Sequence, residues 1–275
     1  MNFIDMCKKR YERIKSNLCV GFDPDISKFP DKFKSMTIEE SISLYFSEIL
    51  LNFSKYIYVI KPNVAFYEQY GFEGLKALKN IIKVSKDLSI PVILDAKRGD
   101  IGNTAKAYAL SVFGEYGADA VTLSPYLGED SLTPFFEYKN KGFFILARTS
   151  NKSGGDFQLQ KVGDKYLYMI VAEKIAEWNK KYSPSIGAVA GATSVEELKN
   201  IAGYFSANSC PPILIPGVGS QGGDLASVIE ALESSGYPLY RAFINSSSKI
   251  TYSHKGGADE DYLTVVENEI KKMII

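Results

Sequence analysis

Short apolar runs alternate along the chain with longer stretches in which apolar residues recur every three or four positions. The runs lie near 17–22, 57–61, 91–95, 119–123, 142–147, 186–190, 212–215 and 241–245 and are rich in Val, Ile, Leu, Phe and Ala. Strict apolar–polar alternation marks strands with one wet face. Nearly continuous runs predict parallel strands covered by helices. Helical spacing fills the intervals near 38–54, 73–88, 102–116, 129–139, 163–181, 194–204, 222–235 and 259–274, with one further helix near 3–15. Eight strand-then-helix units predict a (β/α)8 TIM barrel with an extra N-terminal helix. No Pro/Ser-rich linker or change of composition divides it, so residues 1–275 read as one barrel domain. A doubly wound open sheet is the alternative, but Gly21-Phe22-Asp23-Pro24-Asp25 lacks the glycine fingerprint expected after its first strand. The longest connection, about 148–162, is polar, contains Gly154 and Gly155, and reads as a mobile flap.

Charge narrows the function. Lys plus Arg and Asp plus Glu both number 32, so the net charge is zero. No basic block is present to neutralise phosphates along a nucleic acid, and no nucleic-acid partner is expected. Hydrophobic residues make up 45% of the chain, which argues against disorder. No stretch is long and apolar enough to span a membrane and no secretory signal is visible, so a soluble cytoplasmic protein is expected. The single histidine, His254, falls in a polar loop and is a poor candidate for a catalytic base. Cys7, Cys19 and Cys210 form no metal-ligand spacing, and Cys19 in its apolar run reads as a small buried side chain. Chemistry without a metal, a histidine base or disulfides is expected. The apolar Phe143–Leu146 segment reads as core, Trp178 as a buried or interfacial aromatic, and Arg148 on the flap as facing either a ligand or solvent.

In a barrel of this kind the active site lies at the C-terminal ends of the strands. There the sequence places Asp23, Lys61-Pro62-Asn63, the segment from Asp95 through Lys97 to Asp100, Ser124, Ser150, Pro216-Gly217-Val218-Gly219, and Asn245 through Lys249. Strand residues two apart share a face, so Asp95 and Lys97 are expected side by side. Lys61 supplies a second cation from the neighbouring strand, and Asp100 a second carboxylate at the start of the next helix. Alternating charges keep such lysines protonated and the carboxylates ionised. That is unsuited to a Schiff-base lysine and suited to one that protonates a developing carbanion, beside a carboxylate that repels a substrate carboxylate. A salt-bridge cluster closing the barrel mouth accounts for the same spacing. The glycine-rich turn from Pro216 to Asp224 opens a helix where barrels commonly bind phosphate, and points to a phosphorylated substrate.

The segments Val20–Asp25, Ile60–Glu68, Leu94–Thr104, Thr149–Asn151 and Pro216–Asp224, in this order, resemble the orotidine 5′-monophosphate decarboxylase family, in its longer bacterial and protist branch. The resemblance spans nearly the whole chain. It implies a cofactor-free lyase that converts orotidine 5′-monophosphate to uridine 5′-monophosphate and carbon dioxide, the last step of pyrimidine (UMP) biosynthesis. By that resemblance Lys97 protonates C6, Asp95 sits beside the departing carboxylate, and Lys61 holds the charge network and a ribose hydroxyl. Asp23 holds the ribose, Ser150 the pyrimidine ring, and Pro216 and Gln221 the phosphate end. Asp100, Ile101 and Thr104 enter the site of the other subunit, which implies a homodimer.

One position departs from the family pattern. An Arg usually follows the eighth strand and clamps the phosphate, and here Ser248 stands in its place with Lys249 adjacent. The chain has 27 Lys and only five Arg, and a lysine is a point charge rather than a fork. Ser248 with Lys249 and backbone amides is expected to take over. Two other readings remain. A magnesium-dependent barrel lyase acting on a keto-sugar phosphate would want a carboxylate after the second strand, where Lys61-Pro62-Asn63 stands. A nucleotide-binding protein without turnover has only Ser248 in its favour.

Overall fold

All eight apolar runs form strands of one parallel sheet in the structure, a computed structural model that describes residues 1–219, 222–254 and 261–274. The strands are β1 (Leu18–Gly21), β2 (Val59–Lys61), β3 (Ile93–Arg98), β4 (Ala120–Leu123), β5 (Gly142–Arg148), β8 (Ile186–Ala190), β9 (Ile213–Ile215) and β10 (Ala242–Ser246). A small antiparallel hairpin, β6 (Lys161–Val162) and β7 (Lys165–Tyr166), interrupts the series after β5. The sheet order β2-β1-β10-β9-β8-β5-β4-β3 leaves β2 and β3 at its edges. Parallel bridges from Ile60 to Val92 and from Asn63 to Asp95 join those edges, and the sheet curls into a barrel. The fold is the (β/α)8 barrel expected from the run pattern, with the extra N-terminal helix Phe3–Ile14.

Side chains alternate along each strand between two buried layers, which is why the runs are nearly continuous. Cys19, Val59, Ile93, Phe144, Val189, Leu214 and Phe243 fill the barrel interior. Their neighbours Val20, Ile60, Leu94, Phe143, Ile145 and Ile215 face the helices. The N-terminal helix caps the bottom: Phe3 stacks on Phe243 with centroids 5.7 Å apart and meets Phe144 edge-on at 6.0 Å. Burying each such ring is worth about 1.5–3 kcal/mol. Arg10 of this helix donates to the carbonyls of Ser54, Ile57 and Ser89, which ties the helix to the turns before β2 and β3. Trp178 is buried beside Phe136, as a core residue.

Several boundaries differ from the sequence pattern. The helix expected over 163–181 begins at Leu167, because Gly163 (φ +63°) turns the chain into the hairpin first. The helix expected over 102–116 stops at Leu110 and continues as a wider π-turn, Ser111–Glu115. That expected over 222–235 begins at Leu225, where the Asp224 side chain caps it by accepting from Ser227 N at 2.9 Å. The last helix spans Tyr262–Lys271, and residues 255–260 of the stretch before it lie outside those described. The 148–162 segment, expected as a mobile flap, contains two short turns, Lys152–Gly154 and Gly155–Gln158, ahead of the hairpin. Among the described residues no helix is long and apolar enough to cross a membrane.

Candidate active site

The chemistry begins with an irregularity in β3. Leu94 pairs with Val121 and Arg98 with Leu123, so Asp95, Ala96 and Lys97 together face the single residue Thr122. Such a bulge re-aims side chains locally. Lys97 takes a left-handed backbone (φ +47°), uncommon for a residue with a side chain and costing about 1 kcal/mol or more. The Thr122 hydroxyl fills the gap. It accepts from Ala96 N at 3.0 Å and Lys97 N at 2.9 Å, and donates to Asp95 Oδ1 at 2.8 Å. Asp95 and Lys97 do meet, as expected, but through this bulge rather than through regular strand alternation.

Asp95 is the hub. Its Oδ1 accepts from Lys97 Nζ at 2.7 Å and its Oδ2 from Lys61 Nζ at 2.9 Å. Asp95 and Lys61 are buried, whereas half of the Lys97 side chain is exposed to the cavity above. Burial works against the Asp95 carboxylate, but the Lys61 and Lys97 ammoniums override it and hold the group well below the usual carboxylate range. Burial likewise opposes the Lys61 ammonium, and Asp95 with Asp23 raises it above an ordinary lysine. Asp23 Oδ1 accepts from Asn63 N at 3.1 Å. Tyr252 fixes the Asp23 turn by donating to Asp23 O at 2.7 Å and accepting from Asp25 N at 2.8 Å.

These groups line one cavity of about 730 Å³ at the C-terminal ends of the strands. Lys61, Asp95, Lys97 and Asp23 lie on one side, Pro216 and Ser248 come from the loops after β9 and β10, and Ser150 follows β5. Ser150 is pressed against Gly191: a Cβ at Gly191 would stand 2.8 Å from Ser150 N and Cα. Thr193 Oγ1 donates to Ser150 O at 3.1 Å. Lys249 does not line the cavity. Its stem crosses Gly219 (φ +90°), where any Cβ would collide with it, so its ammonium lies beside the glycine-rich turn. Gln221 lies outside the described residues.

Asp100, Ile101 and Thr104 are not brought to this cavity. Asp100 Oδ1 accepts from Ile101 N at 2.8 Å, and Ile101 and Thr104 are exposed. Arg148 fits neither expectation made for it: it is buried, paired with Glu197 and hydrogen-bonded within the loop. His254 packs edge-on against Tyr45 and Tyr262 and does not line the cavity. Cys7 and Cys19 are buried free thiols, and burial pushes Cys19 up to about 12. Sequence reasoning missed Thr122, Tyr252 and Gln158. The one available signal for Thr122 was a hydroxyl inside an otherwise apolar run.

The model of the orotidine 5′-phosphate decarboxylase / HUMPS family matches residues 16–239. The chain belongs to this family. A family relative, the orotidine 5′-phosphate decarboxylase of Roseiflexus castenholzii, is 42% identical over 93% of this chain and 91% of its own. The solved structure of Leishmania donovani OMP decarboxylase superposes with a TM-score of 0.78 at 33% identity, over 99% of this chain and 98% of that one. Leishmania donovani UMP synthase superposes with a TM-score of 0.80 at 35% identity, and here the chain spans 56% of the longer protein.

Proposed function

We propose that residues 1–275 act as one catalytic barrel that decarboxylates orotidine 5′-monophosphate to uridine 5′-monophosphate and carbon dioxide. The observation that carries this reading is the buried Asp95 carboxylate held between Lys61 and Lys97 on the cavity wall. Asp95 would face the substrate carboxylate and Lys97 would lie against C6. When the C6–carboxylate bond breaks, its electron pair stays on C6 and carbon dioxide leaves. The Lys97 ammonium gives a proton to C6 and, left as a neutral amine, regains one from water. The charges are in place before the reaction, so little reorganisation is needed as the carbanion develops. Phosphate binding far from C6 supplies energy that can be used at the reacting centre.

In this reading Asp23 holds the ribose with Lys61, and Ser150 holds the pyrimidine. Pro216 and Gln221 form the phosphate end, and Ser248 and Lys249 take the place of the family's arginine. The position of the Lys249 ammonium beside Gly219 supports the last assignment. Both Asp95 oxygens are already engaged by lysines, and β2 ends in Lys61 rather than a carboxylate, which disfavours the magnesium-dependent alternative. A homodimer belongs to the proposal, with Asp100, Ile101 and Thr104 serving the partner's site. None of the three lines its own cavity, and Ile101 (56%) and Leu110 (62%) are exposed, which supports it.

The test is turnover of orotidine 5′-monophosphate by the purified protein in chelator, with Lys97→Ala in parallel. Turnover that ignores chelator and disappears in the variant is expected. A folded wild type that produces no uridine 5′-monophosphate overturns the proposal.

A further inference from the structure

The loop after β5 is held over the cavity by a set of side chains that the reaction does not use. Gln158 lines the cavity, yet its amide is committed to the loop's own base. Its Oε1 accepts from Thr149 N at 2.9 Å and its Nε2 donates to Thr149 Oγ1 at 2.9 Å. Behind it lies the buried Arg148. Its guanidinium donates to Thr149 O at 3.0 Å and to Gln158 Oε1 at 3.4 Å, and pairs with Glu197 at 3.4 Å. Glu197 belongs to the helix Val195–Ala207 that follows β8, so the pair bridges two strand-end loops. The network fills the space under Gly154. A Cβ there would come within 2.8 Å of Thr149 Oγ1 and 2.9 Å of Gln158 Oε1.

We propose that Gln158, backed by Arg148 and Glu197, is a positioning latch that holds the 150–158 loop down so that Ser150 faces the substrate. The inference rests on the decarboxylase reading. Phe157, next to Gln158, is 68% exposed, so apolar burial contributes little to holding this segment and the hydrogen bonds decide its position. Release of Gln158 lets Ser153, Gly154 and Phe157, which line the mouth, move away with it. Substrate must then bind a protein that is mostly open. That raises KM in proportion to the lost closed fraction and leaves kcat nearly unchanged, because saturating substrate restores closure.

The experiment compares Gln158→Ala, Thr149→Val, Thr149→Ser and the Gln158→Ala/Thr149→Val double variant, reading kcat, KM and the affinity for uridine 5′-monophosphate. For Gln158→Ala a KM increase of about tenfold with kcat within about twofold is expected. Thr149→Ser should behave as wild type, and Thr149→Val should raise KM less than Gln158→Ala does. The double variant should be no worse than Gln158→Ala alone, since both remove one interaction. An unchanged KM in Gln158→Ala, a loss confined to kcat, or full additivity overturns the latch. If Gln158→Ala does not fold, the contrast between Thr149→Val and Thr149→Ser decides. A wild type that binds uridine 5′-monophosphate without turnover sinks the decarboxylase reading alone, and the latch is then judged by the loss of that affinity in Gln158→Ala. A wild type that does neither overturns both.

Discussion

Thr122 Oγ1 lies 2.8 Å from Asp95 Oδ1, and the same hydroxyl accepts the amides of Ala96 and Lys97. One side chain from β4 thus stabilises a backbone distortion in β3 and orients the carboxylate that the distortion presents. Thr122→Val keeps the shape and removes the hydroxyl. Two amides and one carboxylate lone pair lose their partner, at a cost of about 1–3 kcal/mol. Unfolding in urea should show that loss, and kcat/KM should fall about tenfold, ~1.4 kcal/mol in the barrier. Thr122→Ser should keep both. A fully active Thr122→Val would show that the bulge holds without its hydroxyl.

Asp95→Asn leaves the Lys61 ammonium buried without its principal counter-ion. Breaking a buried pair in this way costs about 3–5 kcal/mol. The effect depends on pH with a definite sign. The Asp95 pKa is depressed in the folded protein, so its contribution to stability is present above the unfolded value of about 3.9 and is lost as pH falls through the lower folded value. The Lys61 pKa is raised, so its contribution is present below about 10.4 and is lost as pH rises through the higher folded value. Urea midpoints of wild type and Asp95→Asn should differ by a constant amount between about pH 5 and pH 9 and converge in acid. A gap that widens in acid would contradict the depressed carboxyl.

Ser248→Arg restores the fork that the family pattern places after the eighth strand. It should lower KM for the phosphorylated substrate, while Lys249→Ala should raise it about tenfold, ~1.4 kcal/mol. Both changes should move kcat/KM in the same sense, and the part of the phosphate's binding energy that is used at the reacting centre should show in kcat as well. If Lys249→Ala has no effect on KM, the phosphate is held by other groups.

Mixing two inactive variants tests the shared site. With Lys97 in one subunit and Asp100 from the other, a Lys97→Ala/Asp100→Asn heterodimer carries one site with both lesions and one intact site. After subunit exchange, equal amounts should recover about a quarter of wild-type activity, given random pairing in a two-fold dimer. No recovery from exchanged dimers would place Asp100 and Lys97 in the same subunit's site.

The barrel was legible because strands buried on both faces leave a distinctive apolar run, and all eight runs became strands. Lys61, Asp95, Lys97 and Asp23 were legible because charged residues directly follow such runs. The bulge was not, since it depends on how β3 pairs with Thr122 of the adjacent strand, and a hydroxyl in an apolar run does not say which residues it will face. The same holds for Arg148. An arginine in a polar, glycine-bearing segment reads as exposed until Glu197, 49 positions away, is seen to meet it. Gln158 and Tyr252 bond mainly to backbone or local groups, and such bonds leave no spacing to recognise.

The aromatic plug formed by Phe3, Phe144 and Phe243 seals the bottom of the barrel. The cavity lies at the opposite end, among the C-terminal ends of the strands. In the proposed reaction the substrate and both products would pass that end of the barrel. The loop after β5 lines that end, so in the proposed reaction a change there would act on how tightly the nucleotide is held without touching a reacting atom.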